Sequence, residues 1–260
     1  MCRLFGMTSG TRPTRATFWL LDAPDSLDRQ SEANPDGCGI GVFDAYGRPQ
    51  VHKQPLAADH DLDFARAARD LESTTYVAHV RHASAGGISL RNTHPFTLDG
   101  RIFAHNGGFG DLPALERHLG DDLSLVQGET DSERFFALVT REIRACGDVT
   151  EGLVTALDWV ADHLPVLALN VILTTPHEVW AVRYPASRTL YVLVDEPGPV
   201  AHRSDAGTRI TAEDAPPRVV VASERLDDDP AWESLAPGEL VHVASDLSVR
   251  RTIVRDVRQS

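Results

Sequence analysis

The feature that most constrains this chain is a cysteine directly behind the initiator methionine, Cys2. Methionine is normally trimmed when the second residue is small, so we expect the mature polypeptide to begin at Cys2. One residue would then carry a thiol and an α-amino group with a reference pKa of about 7.7–8.0, suited to accept the thiol proton. Such a residue supplies a nucleophile together with its base. From position alone, a small buried hydrophobe is the commoner role for a cysteine.

Apolar and polar runs predict an α+β fold. Residues 4–7 are apolar and predict a strand that anchors the N-terminus in a core rather than leaving it frayed. Strands are predicted near both ends of the chain, and helices are predicted over 61–72 and 150–164. Short connections favour antiparallel sheets with helical layers, in a single domain spanning 2–260. The segment 195–217 is rich in Pro, Gly, Asp and Ser and is predicted to be a surface loop.

Charge and cysteine usage limit the partners and the compartment. A net charge of −13 argues against nucleic acid and anionic membranes as partners. No apolar run approaches the ~20 residues of a membrane span. The N-terminus lacks a basic region followed by a long apolar region, so we expect no signal peptide. The three cysteines, Cys2, Cys38 and Cys146, are too few and too widely spaced for a disulfide framework. A cytoplasmic location is therefore expected.

Three stretches deliver polar residues to the ends of predicted strands, where loops on a rigid scaffold build sites. They cover residues 76–87, 92–96 and 101–108. Their histidines, at 79, 82, 94 and 105, suggest a metal site. His79 and His82 would face opposite sides of a strand, however, and no carboxylate stands at matching spacing. We therefore expect no metal and no cofactor, and we interpret these histidines as core or supporting residues.

Asp131 is predicted in the first turn of a helix. Thr130 and Glu133 fit a capping box, and an apolar helical face follows them. A carboxylate in the first turn is held ionised by the helix dipole and could bind the ammonium group of a substrate. Spacing alone favours the simpler interpretation, an aspartate that only stabilises the start of the helix.

Several motifs occur together in one order and resemble the class II glutamine amidotransferases, a family of N-terminal-nucleophile hydrolases. The motifs are Cys2, Asp36-Gly37, Arg81-His82-Ala83-Ser84, Thr93-His94-Pro95, His105-Asn106-Gly107 and Glu129-Thr130-Asp131-Ser132-Glu133. The resemblance implies a four-layer αββα sandwich, in which two antiparallel sheets pack between helical layers. One motif alone would be weak evidence, but this many in order are specific.

The resemblance also implies roles for individual residues. Cys2 looks like the nucleophile, and the Asn106 side chain with the Gly107 N–H looks like the oxyanion hole. Arg81 looks like the clamp for the substrate α-carboxylate, and Asp131 looks like the partner of the α-ammonium. Further residues expected to line the substrate site are His82, Ser84 and His94.

Departures from the family pattern leave the leaving group open. His82 stands where many synthases have tryptophan, Ser84 stands where threonine is common, and Cys38 replaces an expected tryptophan. Because the residues after the glutaminase motifs are expected only to complete the sandwich, we expect no acceptor domain. We therefore expect a stand-alone amidohydrolase that cleaves glutamine or a γ-glutamyl amide or peptide through a thioester on Cys2. Relatives in ergothioneine synthesis and those that handle glutathione-like peptides set this pattern.

Two alternatives stay open. The chain could be a glutaminase subunit that delivers ammonia to a separate synthase, or it could be a non-catalytic binding protein on the same fold. The expected partner is a small γ-glutamyl molecule, and the sequence leaves both a synthase partner and homo-oligomerisation undecided.

Overall fold

The computed structural model describes residues 2–83, 86–195, 200–203, 209–212 and 216–256. Fifteen strands lie within these ranges: β1 Arg3–Thr8, β2 Cys38–Phe43, β3 Pro49–Gln54, β4 Thr75–Val80, β5 Phe96–Leu98, β6 Arg101–Phe109, β7 Val166–Thr174, β8 Val179–Arg183, β9 Tyr191–Asp195, β10 Val200–Arg203, β11 Arg209–Ala212, β12 Arg218–Ala222, β13 Glu233–Ser234, β14 Glu239–Val243 and β15 Val249–Ile253.

The same ranges hold five α-helices: α1 Leu27–Gln30, α2 Leu62–Asp70, α3 Leu112–Leu119, α4 Asp131–Cys146 and α5 Val149–His163. A π-helical turn spans Phe18–Asp22, and 3-10 turns span Ser31–Ala33, Ala58–His60, Leu90–Asn92 and Gly120–Leu125. Each predicted helix is present. Asp61 caps α2 by accepting a hydrogen bond from Asp63 N at 2.9 Å.

The strands form two large antiparallel sheets. The first sheet has the order β13-β9-β12-β1-β4-β2-β3, and the second has the order β15-β14-β8-β7-β6-β5. The N-terminal strand β1 lies in the middle of the first sheet, between β12 and β4, so the residues beside Cys2 are anchored as the apolar run predicted.

Side chains alternate between the two faces of each strand, so the core has three parts, one between the two sheets and one between each sheet and its helices. The two sheets and the two sets of helices therefore form four layers. Odd-numbered Phe5 and Met7 of β1 pack with the helices of residues 18–70, whereas Leu4 packs with the second sheet. On β6, Ile102 and Ala104 face the first sheet, and Phe103 packs under α3–α5. This period of two is what a strand with both faces buried requires. The predicted αββα arrangement is confirmed.

Two local predictions need correction. The segment 195–217 was expected to be a loop, but β10 and β11 form an antiparallel hairpin within it. The capping box at α4 is only half formed. Thr130 Oγ1 accepts from Glu133 N at 3.2 Å, but the Glu133 carboxylate accepts from Gln127 N at 3.0 Å and Gly128 N at 2.6 Å. The turn before α4 folds back over the helix end and takes the carboxylate that the motif assigns to the cap.

No helix among the described residues is long and apolar enough to cross a membrane.

Candidate active site

Strand register brings three of the predicted site residues to one end of the space between the sheets. Arg3 pairs with Val80, so Cys2 and Arg81 extend β1 and β4 side by side. Leu4 and Val77 face the second sheet, and residues two or four positions away share their side. Asn106 on β6 shares the side of Ile102 and Ala104, which face the first sheet. Cys2, Arg81 and Asn106 therefore converge from both sheets.

The Cys2 thiol is partly buried and lies against the backbone of His82. His82 N donates to Cys2 Sγ at 3.2 Å, and Sγ is 3.4 Å from His82 O. Burial raises the pKa of the Cys2 thiol, while the His82 amide, the chain's amino terminus and Arg81 act in the opposite direction. A thiol that is mostly protonated at neutral pH needs a base to become a nucleophile.

Arg81 is almost fully buried, with 2% of its surface exposed. Its guanidinium donates to Gly87 O at 3.3 Å and to Gly86 O at 3.4 Å. Its backbone is paired with the Asp36-Gly37 turn, since Arg81 N donates to Gly37 O at 2.7 Å. The Asp36 carboxylate accepts from Ala83 N at 2.8 Å, which gives this motif residue a role in holding the segment after Arg81.

Asn106 is tied to the first sheet by a residue that sequence reasoning missed, Ser223. Ser223 Oγ accepts from Asn106 Nδ2 at 3.4 Å and from Leu4 N at 2.9 Å. Ser223 N in turn donates to Leu4 O at 3.0 Å. One hydroxyl thus fixes the Asn106 carboxamide relative to the strand that carries Cys2. The only signal in the sequence was a serine directly after an apolar strand.

Gly107 occupies a position that no other residue could fill. A Cβ built there would lie 2.0 Å from Ala168 O on the neighbouring strand β7. The glycine therefore allows β6 and β7 to approach beside Asn106, as expected for glycine within a strand.

Asp131 is the first residue of α4 and is buried. Asp131 Oδ2 accepts from Phe109 N at 3.3 Å, and Oδ1 accepts from Ser132 N at 2.8 Å. In the described part of the chain, no cationic side chain lies within ion-pair distance of this carboxylate. The helix dipole and two amide donors stabilise its negative charge. The backbone of Gly108 lies next to this carboxylate, since a Cβ built on Gly108 would be 3.5 Å from Asp131 Oδ2.

His105 supports the start of α4 from inside the core. Its Nε2 is 3.1 Å from Ala168 O, and its Nδ1 is 2.9 Å from Ser132 Oγ. Because a carbonyl can only accept, Nε2 carries the proton, and the Ser132 hydroxyl donates to Nδ1. Burial lowers the pKa of His105, which keeps this neutral tautomer.

The remaining predicted substrate residues are placed differently. His82 is exposed at the end of β4, beside Cys2. The ring of His94 is buried between His79 and Phe96, with centroid distances of 4.2 Å and 4.6 Å. This burial favours a supporting role for His94 over direct contact with a substrate. Ser84 lies outside the described residues. Within the described ranges, no group of three or more His, Cys, Asp or Glu side chains could hold a metal ion.

The buried histidines make stability depend on pH. Burial, with Arg81 and His105 nearby, lowers the pKa of His79 to about 3, and burial lowers the pKa of His94 well below its usual value. The unfolded chain takes up protons below pH ~6.5, where folded His79 stays neutral down to about pH 3. Stability is therefore fully present above pH ~6.5 and falls as the pH is lowered toward 3.

We expect His79→Leu to weaken this acid destabilisation. Between pH 7 and pH 5, His79 contributes a loss of about 2 kcal/mol in the free energy of unfolding, following ~1.4 kcal/mol per pH unit below its unfolded pKa. Urea unfolding of both proteins at the two pH values measures the difference. An equal loss in the variant and the wild type would show that His79 does not carry this dependence.

Comparisons with known proteins identify the family to which the chain belongs. The family model for class II glutamine amidotransferases matches residues 1–259. The Escherichia coli protein YafJ is 29% identical over 92% of this chain and 96% of its own length. The γ-glutamyl-hercynylcysteine sulfoxide hydrolase of Mycolicibacterium smegmatis is 29% identical over 86% of this chain and 88% of its own length. The Saccharomyces cerevisiae protein DUG3 is 27% identical over 73% of this chain, and the match spans 65% of that protein.

Among solved structures, the glutamine phosphoribosylpyrophosphate amidotransferase of B. subtilis superposes with a TM-score of 0.70 at 18% identity, over 98% of this chain and 49% of that chain. This chain therefore spans about half the length of that protein. At such low identity the likeness establishes the fold, and the family model establishes the membership. The protein is a member of the class II glutamine amidotransferases, a family of enzymes.

Proposed function

We propose that this enzyme hydrolyses the γ-amide of glutamine or of a γ-glutamyl amide or peptide, with Cys2 as the nucleophile. The observation that carries the proposal is the convergence of Cys2, Arg81 and Asn106 between the two sheets. We further propose that residues 2–260 act as one glutaminase domain without a cofactor, in the cytoplasm.

The chemistry needs only groups at this end of the sheets. The α-amine of mature Cys2 takes the thiol proton, and the thiolate attacks the γ-carbonyl carbon. Asn106 Nδ2 and Gly107 N–H stabilise the oxyanion that forms. The C–N bond then breaks, and the leaving amine takes the proton from the Cys2 ammonium. Water attacks the γ-glutamyl thioester, the C–S bond breaks, and glutamate and the free thiol are released.

Two buried charges recognise the amino-acid end of the substrate. Arg81 binds the α-carboxylate, for which a planar guanidinium is well shaped. Asp131 binds the α-ammonium. This role is supported by the placement of Asp131 as a buried carboxylate with amide donors and no cationic partner among the described side chains. His82, exposed beside Cys2, is proposed to face the leaving group. Ser84 is proposed as a further substrate-binding residue, and His94 is proposed to support the site from within the core.

We expect Asp131→Asn to raise KM about tenfold or more for substrates with a free α-amine, because a charge-assisted contact is worth more than a neutral one. N-acylated substrates lack the ammonium and should change by less than about twofold. Steady-state kinetics on γ-glutamyl and N-acetyl-γ-glutamyl p-nitroanilide measures both values. Equal increases for the two substrates would rule out the proposed contact with the ammonium group.

A panel of substrates decides the leaving group. We favour a γ-glutamyl peptide or conjugate, since the M. smegmatis relative is named as a hydrolase of such a compound and the match covers most of this chain and most of that relative. Glutamine and several γ-glutamyl peptides would be compared for release of ammonia against release of amine. Preference for the peptides supports the stand-alone hydrolase. Turnover of none of these substrates would contradict the proposal.

A second candidate is a glutaminase subunit that supplies ammonia to a separate synthase. It is supported by the solved amidotransferase chain, which is about twice as long as this one. Glutamine turnover that rises only when a synthase is added would favour this candidate.

A further inference from the structure

A buried side chain outside the proposed catalytic set, Asn92, joins two segments of the site. Its exposed fraction is 1%. Asn92 Nδ2 donates to Gly87 O at 3.0 Å and to Glu129 Oε2 at 3.1 Å, and Oδ1 accepts from Glu129 N at 2.8 Å. Three of the four hydrogen-bonding positions of this carboxamide are therefore occupied. They link the loop that contains Gly87 to the loop that contains Glu129, which is distant in sequence.

Both loops are shaped around this carboxamide. A Cβ on Gly128 would lie 2.6 Å from Asn92 Oδ1, and a Cβ on Gly86 would lie 3.0 Å from Asn92 Nδ2. The contact at Gly128 is closer than real Cβ atoms approach, so a glycine is needed beside the carboxamide oxygen. Glu129 also bonds directly to the first loop, since its Oε2 accepts from Gly87 N at 3.2 Å. Asn92, Gly87 and Glu129 are therefore each hydrogen-bonded to the other two.

The two loops lead directly to the two recognition charges of the proposed function. Gly87 O accepts from Arg81 Nη1 at 3.3 Å as well as from Asn92 Nδ2. Glu129 lies two residues before Asp131, and Thr130 between them caps α4. A continuous set of hydrogen bonds thus connects the guanidinium of Arg81, through Asn92, to the turn that presents Asp131.

We propose that Asn92 is a positioning residue that sets the spacing between Arg81 and Asp131. Asn92 thereby selects ligands that carry an α-ammonium and an α-carboxylate on one carbon, the head group of an L-α-amino acid. This inference rests on the recognition roles given to Arg81 and Asp131 in the proposed function. A fixed spacing between the two charges raises the affinity for a ligand that contacts both of them, and it has little effect on the affinity for a ligand that contacts a single charge.

The test replaces Asn92 by aspartate, which has the same shape. Asn92→Asp would place an oxygen in front of Gly87 O and Glu129 Oε2, so both contacts would become repulsive. Glu129→Ala is a second variant, because Glu129 is exposed and its loss leaves the Asn92–Gly87 bond in place. Arg91→Ala is the matched control, an exposed neighbour in the same turn.

Binding is measured by calorimetry with L-glutamate and with glutarate, which lacks the α-ammonium, in a Cys2→Ala background. We expect Asn92→Asp to raise the Kd of L-glutamate about tenfold, equivalent to about 1.4 kcal/mol. Glu129→Ala should raise it by a smaller factor, Arg91→Ala should leave it unchanged, and glutarate should respond weakly. A merely structural defect would lower the bound stoichiometry without changing Kd.

The outcomes separate this inference from the proposed function. An unchanged Kd for L-glutamate in both Asn92→Asp and Glu129→Ala overturns the positioning role. A raised Kd in Asn92→Asp, with no hydrolysis by the wild type, supports the positioning role and overturns the hydrolase. Absence of L-glutamate binding in the Cys2→Ala parent overturns the recognition roles and this inference together.

Discussion

Replacing Cys2 by alanine should lower kcat/KM for γ-glutamyl amides on the order of 10⁴-fold or more, as the loss of a nucleophile does in other hydrolases. The physical reason is that no other described side chain at this end of the sheets offers both a thiol and an adjacent amine. Alanine is small enough for methionine removal to proceed, so the terminal amine is retained and only the sulfur is lost. Release of product is followed by chromatography at substrate concentrations above and below KM.

The fold should survive this change, because Cys2 Sγ contacts only the His82 backbone among the described hydrogen bonds. Cys146→Ala is the matched control, since Cys146 is an exposed cysteine on a helix far along the chain. Thermal unfolding should be unchanged in both variants, and Cys146→Ala should keep full activity. Activity within about tenfold of the wild type in Cys2→Ala would contradict the nucleophile assignment.

Asn106→Ala should lower kcat about 10²–10³-fold with little change in KM. The expected loss falls on kcat because the amide donor meets the oxyanion, which exists in the transition state and not in the bound substrate. Pre-steady-state release of the first product isolates the acylation step and should show the same factor. The effect equals about 2.7–4 kcal/mol of barrier height.

Asn170→Ala supplies a matched control for Asn106→Ala. Asn170 pairs with Asn106 across β6 and β7. Among the residues that the structure describes, its carboxamide donates to Thr189 O at 2.9 Å and accepts from Tyr184 N at 3.1 Å. Its loss should cost about 1–3 kcal/mol of stability and leave kcat per folded molecule unchanged. If both variants lost kcat equally, packing between the strands rather than the Asn106 donor would explain the loss.

Local sequence patterns predict the layers and much of the site because strands alternate with a fixed period. The apolar run after Cys2 predicts β1, and the polar ends of β4 and β6 predict where Arg81 and Asn106 emerge. Thr130 predicts the start of α4. In each case the determining interactions lie within a few residues of one another, so the sequence displays them directly.

Contacts between distant segments could not be predicted in this way. Ser223 meets Asn106 across 117 residues, and Asn92 meets Glu129 across 37. Neither serine nor asparagine carries a pattern that reveals its partner. The hairpin of β10 and β11 was missed for another reason. Turn-forming residues around it outweigh two short strands of four residues each.

Intact-mass spectrometry of the purified enzyme, before and just after mixing with a γ-glutamyl substrate, tests most directly whether the reacting thiol belongs to the chain's own first residue. We expect a resting mass without methionine, followed by a transient increase of one γ-glutamyl group located on Cys2 and absent in Cys2→Ala. A fully active enzyme that retains Met1, or an acyl group located on another residue, would contradict the role proposed for Cys2.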